Sequence, residues 1–245
     1  MPGIQPLCVL DLLDQGVISF AERFESFLQA EDLQIPYEII DGIRRKDELP
    51  ELLKQPWAGL LISGSVHSVY EQTDWIQAVE ALIREAHAQN FPVFGICFGH
   101  QLIATALGGQ VSKAPQWEFG THPVYFTGSH PYLAGVESGV WTSQTHQDHV
   151  SELPPGAEHL GLSYQTAHQI LACGSCFGVQ FHPEYTPETL RYLGQQRVQR
   201  FIDAQLFHSP EHLYIYLDTL MPVDGARQIL RNFLLSLDYE EAVLA

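Results

Sequence analysis

Two short stretches of the chain have the residue types and spacing of a nucleophile and its base. The first is Gly95-Ile96-Cys97-Phe98-Gly99-His100-Gln101. A nucleophile on a strand-to-helix turn needs small neighbours, because the backbone is cramped and the side chain must project outward. Gly-x-nucleophile-x-Gly meets that need, here with Cys where many hydrolases carry Ser. A helix starting behind Cys97 would favour its thiolate through the partial positive charge of the helix end. Taken alone, the pattern fits a buried Cys in a Gly-rich turn equally well. The second stretch is Gly178-Val179-Gln180-Phe181-His182-Pro183-Glu184. His182 and Glu184 alternate with Phe181 and Pro183, so both can face one side of an extended chain. A His oriented by a carboxylate is what a Cys nucleophile requires. The two stretches together predict a Cys97–His182–Glu184 triad.

The surrounding pattern predicts elements able to position these groups. Short apolar strands at Leu7–Leu10, Ile35–Ile40, Gly59–Ile62 and Phe91–Ile96 alternate with a helix near Phe20–Ala30 and a long one that Asp74 can cap. Alternation of this kind implies a parallel sheet covered on both faces, with ligands at the carboxyl ends of its strands. From residue 110 to 182 the texture changes to short strands and Gly/Pro turns, read as a small antiparallel insertion or long loops. Helical patterning returns from Pro187. One helix holds Leu190, Leu193, Val198, Phe201 and Ile202, a second starts at Ser209-Pro210, and a third runs from Asp224. The expected division is residues 1–190 as the catalytic domain and 191–245 as a helical extension packed on it.

Composition removes several function classes. The chain has 245 residues, 12 Lys and Arg against 29 Asp and Glu, and a net charge of −17. That deficit of cations argues against nucleic-acid or anionic-lipid binding. No apolar run approaches a membrane span, the N-terminus lacks the pattern of a signal peptide, and four cysteines are too few for a disulfide scaffold. A cytoplasmic protein is expected. Between Lys113 and Arg191 there is no Lys or Arg, yet that stretch holds seven of the twelve histidines. Any Arg that grips a substrate carboxylate must therefore come from outside it.

Residue by residue, the two motifs resemble those of the class I, triad-type glutamine amidotransferases. Gly95–Gln101 is similar to the family's nucleophile elbow and Gln180–Glu184 to its His-Pro-Glu motif. Gly59–Tyr70 is similar to the oxyanion-loop segment, in particular that of GMP synthetase glutaminase domains. Glu118-Phe119-Gly120 and Ser143–Val150 also have counterparts, and the resemblance spans roughly residues 7–190. It implies a flavodoxin-like α/β fold and hydrolysis of the glutamine side-chain amide through a γ-glutamyl thioester. Cys97 would attack, His182 would act as base and acid, and Glu184 would orient His182. The oxyanion would be held by backbone N–H groups of Phe98 and of the Gly64-Ser65 loop, each such donor being worth ~3 kcal/mol. Gln101 would help hold the amino-acid end of the substrate, and His146 and Asp148 would line its pocket. No metal or organic cofactor is implied. The loop departs from the usual Gly-Gly-Pro of synthetase-linked relatives, reading Gly64-Ser65-Val66, and no synthetase domain follows. The ammonia then goes to a separate synthetase subunit, or the chain is a plain hydrolase.

Two rival readings stay open. A γ-glutamyl peptidase or hydrolase would use the same triad on γ-glutamyl peptides or conjugates, and a regulatory binding protein would use the same fold without catalysis. His146-Gln147-Asp148-His149 is read as pocket wall over metal site, because its spacing is not that of a ligand pair on a helix. Cys173-Gly174-Ser175-Cys176 is read as a hairpin turn over a redox or zinc motif. Tyr70 and Trp117 are read as packing residues that could border the pocket.

Overall fold

A computed structural model describes residues 5–13 and 19–239. In chain order its main elements are β1 (Leu7–Asp11), α1 (Phe20–Ala30), β2 (Tyr37–Asp41), β3 (Gly59–Ile62), α2 (Asp74–Ala88), β4 (Val93–Ile96) and α3 (Phe98–Ala106). There follow β5 (Gln110–Phe126), β6 (Val140–Glu152), β7 (Glu158–Leu162), β8 (Ile170–Cys173) and β9 (Cys176–Val179). The chain continues through α4 (Pro187–Gln196), α5 (Val198–Asp203), α6 (Pro210–Leu217) and α7 (Asp224–Ser236). The nine strands form one sheet in the order β2-β1-β3-β4-β9-β8-β7-β5-β6. From β2 to β9 the pairing is parallel. From β9 outward it is antiparallel. This is the α/β sheet with an antiparallel insertion that the sequence implies.

The apolar runs of the parallel strands divide their side chains between two cores, as a period of two requires. Leu7, Val9, Leu61, Phe94 and Ile96 face a core closed by Phe20, Phe24 and Phe27 of α1 and by Ile229, Leu230, Phe233 and Leu234 of α7. Cys8, Leu10, Leu60, Ile62 and Val93 face the opposite core, closed by Ile76, Val79, Leu82 and Ile83 of α2 and by Leu102 and Ile103 of α3. A third cluster joins Phe119 and Tyr185 to Leu190, Leu193, Phe201, Leu213 and Leu217 of α4–α6. Ser19 caps α1 in a reciprocal arrangement with Glu22. Thr73, not Asp74, occupies the cap position of α2, and Asp74 sits in the first turn, where the helix dipole favours it.

Several boundaries differ from the sequence pattern, among them the fourth strand, which starts at Val93, after Pro92, and not at Phe91. The apolar residues from Leu190 to Ile202 lie on two helices, broken at Arg197. The second predicted strand starts at Tyr37, after Pro36, whose missing N–H cannot join the ladder. Among the described residues no helix is long and apolar enough to cross a membrane.

The last helix is part of the central core: Phe233 is fully buried, its ring 5.1 Å from that of Phe94. Phe233→Ala should cost about 3–5 kcal/mol in urea unfolding, within the same single transition as the rest of the chain. A change below about 0.5 kcal/mol would contradict that packing.

Candidate active site

The turn between β4 and α3 is tighter than a residue with a Cβ ordinarily allows. Cys97 has φ 51° and ψ −96°, a region that L side chains occupy only when their surroundings impose it, at a cost of about 1–3 kcal/mol. The surroundings do impose it. The Cys97 N–H donates to Val179 O at 2.8 Å, and its carbonyl accepts from Gln101 N at 3.0 Å. A Cβ on Gly95 would lie 2.5 Å from Gly99 carbonyl atoms, and one on Gly99 would lie 2.6 Å from Ile62 O. The two glycines let α3 press onto β3 and β4, and the pressed turn pushes the Cys97 side chain outward.

His182 and Glu184 follow β9, the strand beside β4. Ser143 O on β6 accepts from the His182 N–H at 2.9 Å, which anchors the segment. Nδ1 of His182 lies 2.9 Å from Glu184 Oε1, and both side chains are buried. A carboxylate only accepts, so Nδ1 carries the proton and the neutral ring keeps Nε2 free as a base. The imidazole stacks on Tyr185 with ring centroids 4.2 Å apart, and the Arg23 guanidinium lies 5.0 Å from the Tyr185 ring centre. The point where a Gly64 side chain would begin is 3.0 Å from His182 Cε1 and 3.7 Å from Cys97 Cβ. Cysteine, histidine and the glycine loop thus meet at one spot.

Burial works against charge on both groups. Burial, then the charges of Glu184 and Asp148, push the Cys97 thiol up to about 12 despite the Phe98 N–H and Gln180 beside it. Burial also lowers His182, outweighing the support of Glu184, with Arg23 and His146 adding to the depression. These effects oppose the thiolate that the helix end favours. Desolvation together with two carboxylates exceeds the effect of a helix terminus.

Cys97 and His182 open into a cavity of about 160 Å³, walled also by Gly64, Ser65, Phe98 and Gln101. His146 and Asp148 on β6 complete that wall, while Glu184 stands behind His182. Several of these groups are braces. Gln101 uses its amide N–H groups on Asp148 O at 2.9 Å and Gln180 Oε1 at 3.1 Å. Gln180 in turn donates to Cys97 Sγ at 3.5 Å. The Asp148 carboxylate accepts from Ser68 Oγ at 2.5 Å and Tyr70 O–H at 3.1 Å, tying the loop that carries Gly64 to β6. His146 lies between Asp148 O, Gln144 Oε1 and the buried Glu118. Burial opposes ionisation of Glu118, but hydrogen bonds from His146, Ser163 and Thr166 prevail and hold it below the ordinary carboxylate range.

Sequence reasoning did not single out Gln180, Tyr185, Arg23, Arg197 or Arg200, though the last four line the cavity together with Lys113, Tyr70 and Trp117. Arg23 had a readable signal, a charge three residues after Phe20 on the buried stripe of α1. Cys173 and Cys176 face each other across a two-residue turn with Gly174 at φ +56°. Both are free thiols. Among the described residues no group of three or more His, Cys, Asp or Glu is placed to hold a metal ion.

Residues 30–199 match the family described as glutamine amidotransferase class-I. The chain belongs to that family. The chain is 38% identical over 133 residues to a glutamine-hydrolyzing GMP synthase of Thermomicrobium roseum, covering 53% of its own length and 24% of the relative. It is 33% identical over 162 residues to gamma-glutamyl peptidase 4 of Arabidopsis thaliana, covering 63% of its own length and 62% of the relative. The chain thus spans about a quarter of the first and under two thirds of the second. A glutamine amido transferase from Methylobacillus flagellatus shares the fold, with a TM-score of 0.76 at 24% identity and 99% of each chain covered.

Backbone strain at the elbow predicts an inverted ranking. Cys97→Gly should be more stable than Cys97→Ala by about 1 kcal/mol in urea unfolding, whereas Gly ordinarily loses to Ala by about 0.5–1 kcal/mol. The ordinary ranking at this position would contradict the strained turn.

Proposed function

We propose that this amidotransferase hydrolyses a γ-glutamyl amide, glutamine being the simplest, with Cys97 as nucleophile, His182 as proton carrier and Glu184 as its orienting group. The observation that carries this reading is the meeting of the strained Cys97 and the Glu184-anchored His182 at the Gly64 loop. As Sγ attacks the γ-carbonyl carbon, the thiol proton moves to His182 Nε2 and the carbonyl π pair moves onto oxygen. That oxyanion develops beside the Phe98 N–H and the Gly64-Ser65 loop, where prealigned donors count most. The C–N bond then breaks, and the departing ammonia or amine takes the proton from His182. Water attacks the thioester and gives a proton to His182. The C–S bond breaks, the proton returns to sulfur, and glutamate leaves.

Burial opposes charge on both thiol and imidazole, which favours proton transfer that accompanies attack over transfer that precedes it. With glutamine as substrate the ammonia passes to water or to a separate synthetase subunit. The relatives named GMP synthase, described as glutamine-hydrolyzing, support use of the ammonia by a synthetase.

Glutamate release from glutamine and from γ-glutamyl dipeptides tests the reading. Cys97→Ala should lower it on the order of 10⁴-fold or more. His182 must be unprotonated to accept the thiol proton, and its affinity for protons is depressed. Activity should therefore rise with pH along a limb centred below about 6.5, the ordinary histidine value, and hold to neutrality. Undiminished release by Cys97→Ala, or a limb centred well above that value, would contradict the mechanism.

A further inference from the structure

The cavity at Cys97 inverts the charge of the chain that forms it. The chain carries 12 Lys and Arg against 29 Asp and Glu, yet among the described residues Lys113, Arg197 and Arg200, with Arg23 on α1, line the cavity and Asp148 is the one carboxylate in its wall. Asp148 is already engaged by Ser68 and Tyr70. Among the described residues, Lys113, Arg197 and Arg200 have no carboxylate within ion-pair distance. Arg197 donates to Thr145 Oγ1 at 3.2 Å, and the Arg200 guanidinium lies 4.6 Å from the Trp117 ring centre. Like charges gathered around a shared hollow repel one another unless an anion enters it.

A γ-glutamyl group does not use up this charge. It carries one carboxylate and one ammonium, so a single cation balances it. The position of the surplus indicates what the rest of the substrate brings. The leaving amine must depart on the side of His182, which protonates it. That is the side on which the His182 ring stacks on Tyr185 and Tyr185 lies under Arg23. The positive charge of Arg197 acts on the same Tyr185. Asp148 is taken up by Ser68 and Tyr70 and does not offset these cations. Arg197 stands at the break between α4 and α5, with Arg200 one turn further on, just past the segment that matches the family.

We propose that Arg197 and Arg200 form a leaving-group subsite that selects γ-glutamyl compounds whose departing amine carries a carboxylate, as γ-glutamyl amino acids and peptides do. The proposal rests on the hydrolytic reading above and narrows its substrate. The guanidinium groups hold the leaving carboxylate by charge-assisted hydrogen bonds. They thereby align the scissile nitrogen with the His182 proton.

Binding to the Cys97→Ala protein tests the subsite independently of turnover. Two probes differ in one charge: γ-glutamylglycine, with a carboxylate on its leaving amine, and γ-glutamylglycinamide, with a neutral amide there. Calorimetric titration should show the first bound about tenfold or more tighter. The preference should shrink in Arg200→Gln, whose exposed side chain leaves the fold intact, and approach unity when Arg197→Gln is added. Equal binding of the two probes overturns the subsite. Glutamate release from both probes by the protein with Cys97 intact is followed in parallel. Equal kcat/KM with equal binding overturns the subsite alone. Charge-selective binding with no glutamate from either probe overturns the hydrolytic reading and leaves an anion-selective pocket.

Discussion

Everything at the site depends on how closely α3 can approach the strands beneath it. The hypothetical Cβ contacts of 2.5 Å at Gly95 and 2.6 Å at Gly99 are backbone contacts, which no side-chain rearrangement can relieve. That approach forces Cys97 to positive φ and aims its sulfur away from the sheet. It also sets the sulfur beside the segment that leaves β9, because β4 and β9 are paired neighbours. Register does the rest: Ile96 lies opposite Val179, so the residues just past each strand end, Cys97 and Gln180, meet by necessity. His182 then follows two residues on, held by Ser143 O. The local cost of the turn is met by the burial of Phe94, Ile96, Phe98 and Leu102 in the two cores on either side.

The braces around the cavity show a second constraint, that buried polar groups must be partnered. Gln101, Gln180, Asp148 and His146 largely satisfy one another and the loop above them. Such a network fixes the Gly64 loop without covering the nucleophile. It also explains how an acidic chain presents a cationic hollow. The stretch from 114 to 190 contributes neutral and acidic wall, while cations arrive from α1, from the start of β5 and from the α4–α5 break.

Much of this was readable from the order of residues, for reasons that can be named. The helix at Phe20–Ala30 carries both a cap and a strong apolar stripe, and its observed bounds coincide with the pattern. The Gly-x-Cys-x-Gly spacing exposes the elbow because only glycine tolerates such approach. Other features were hidden. The break at Arg197 interrupts an apolar pattern that runs on regularly through it, so periodicity alone joins α4 to α5. Gln101 as a brace depends on partners 47 and 79 residues away, set by the sheet order and not by local sequence. The upward push on the Cys97 thiol reflects how deeply it is buried, and the helix-end signal carries no measure of burial.

The most direct measurement is to trap the covalent species. Acid quenching during turnover of a γ-glutamyl amide, followed by peptide mass spectrometry, reads what is bonded to each of the four cysteines. The mechanism predicts one γ-glutamyl group on the peptide holding Cys97, hydrolysed on return to neutral pH with release of glutamate. Turnover with Cys97 unmodified throughout, or the acyl group on Cys8, Cys173 or Cys176 instead, would contradict it.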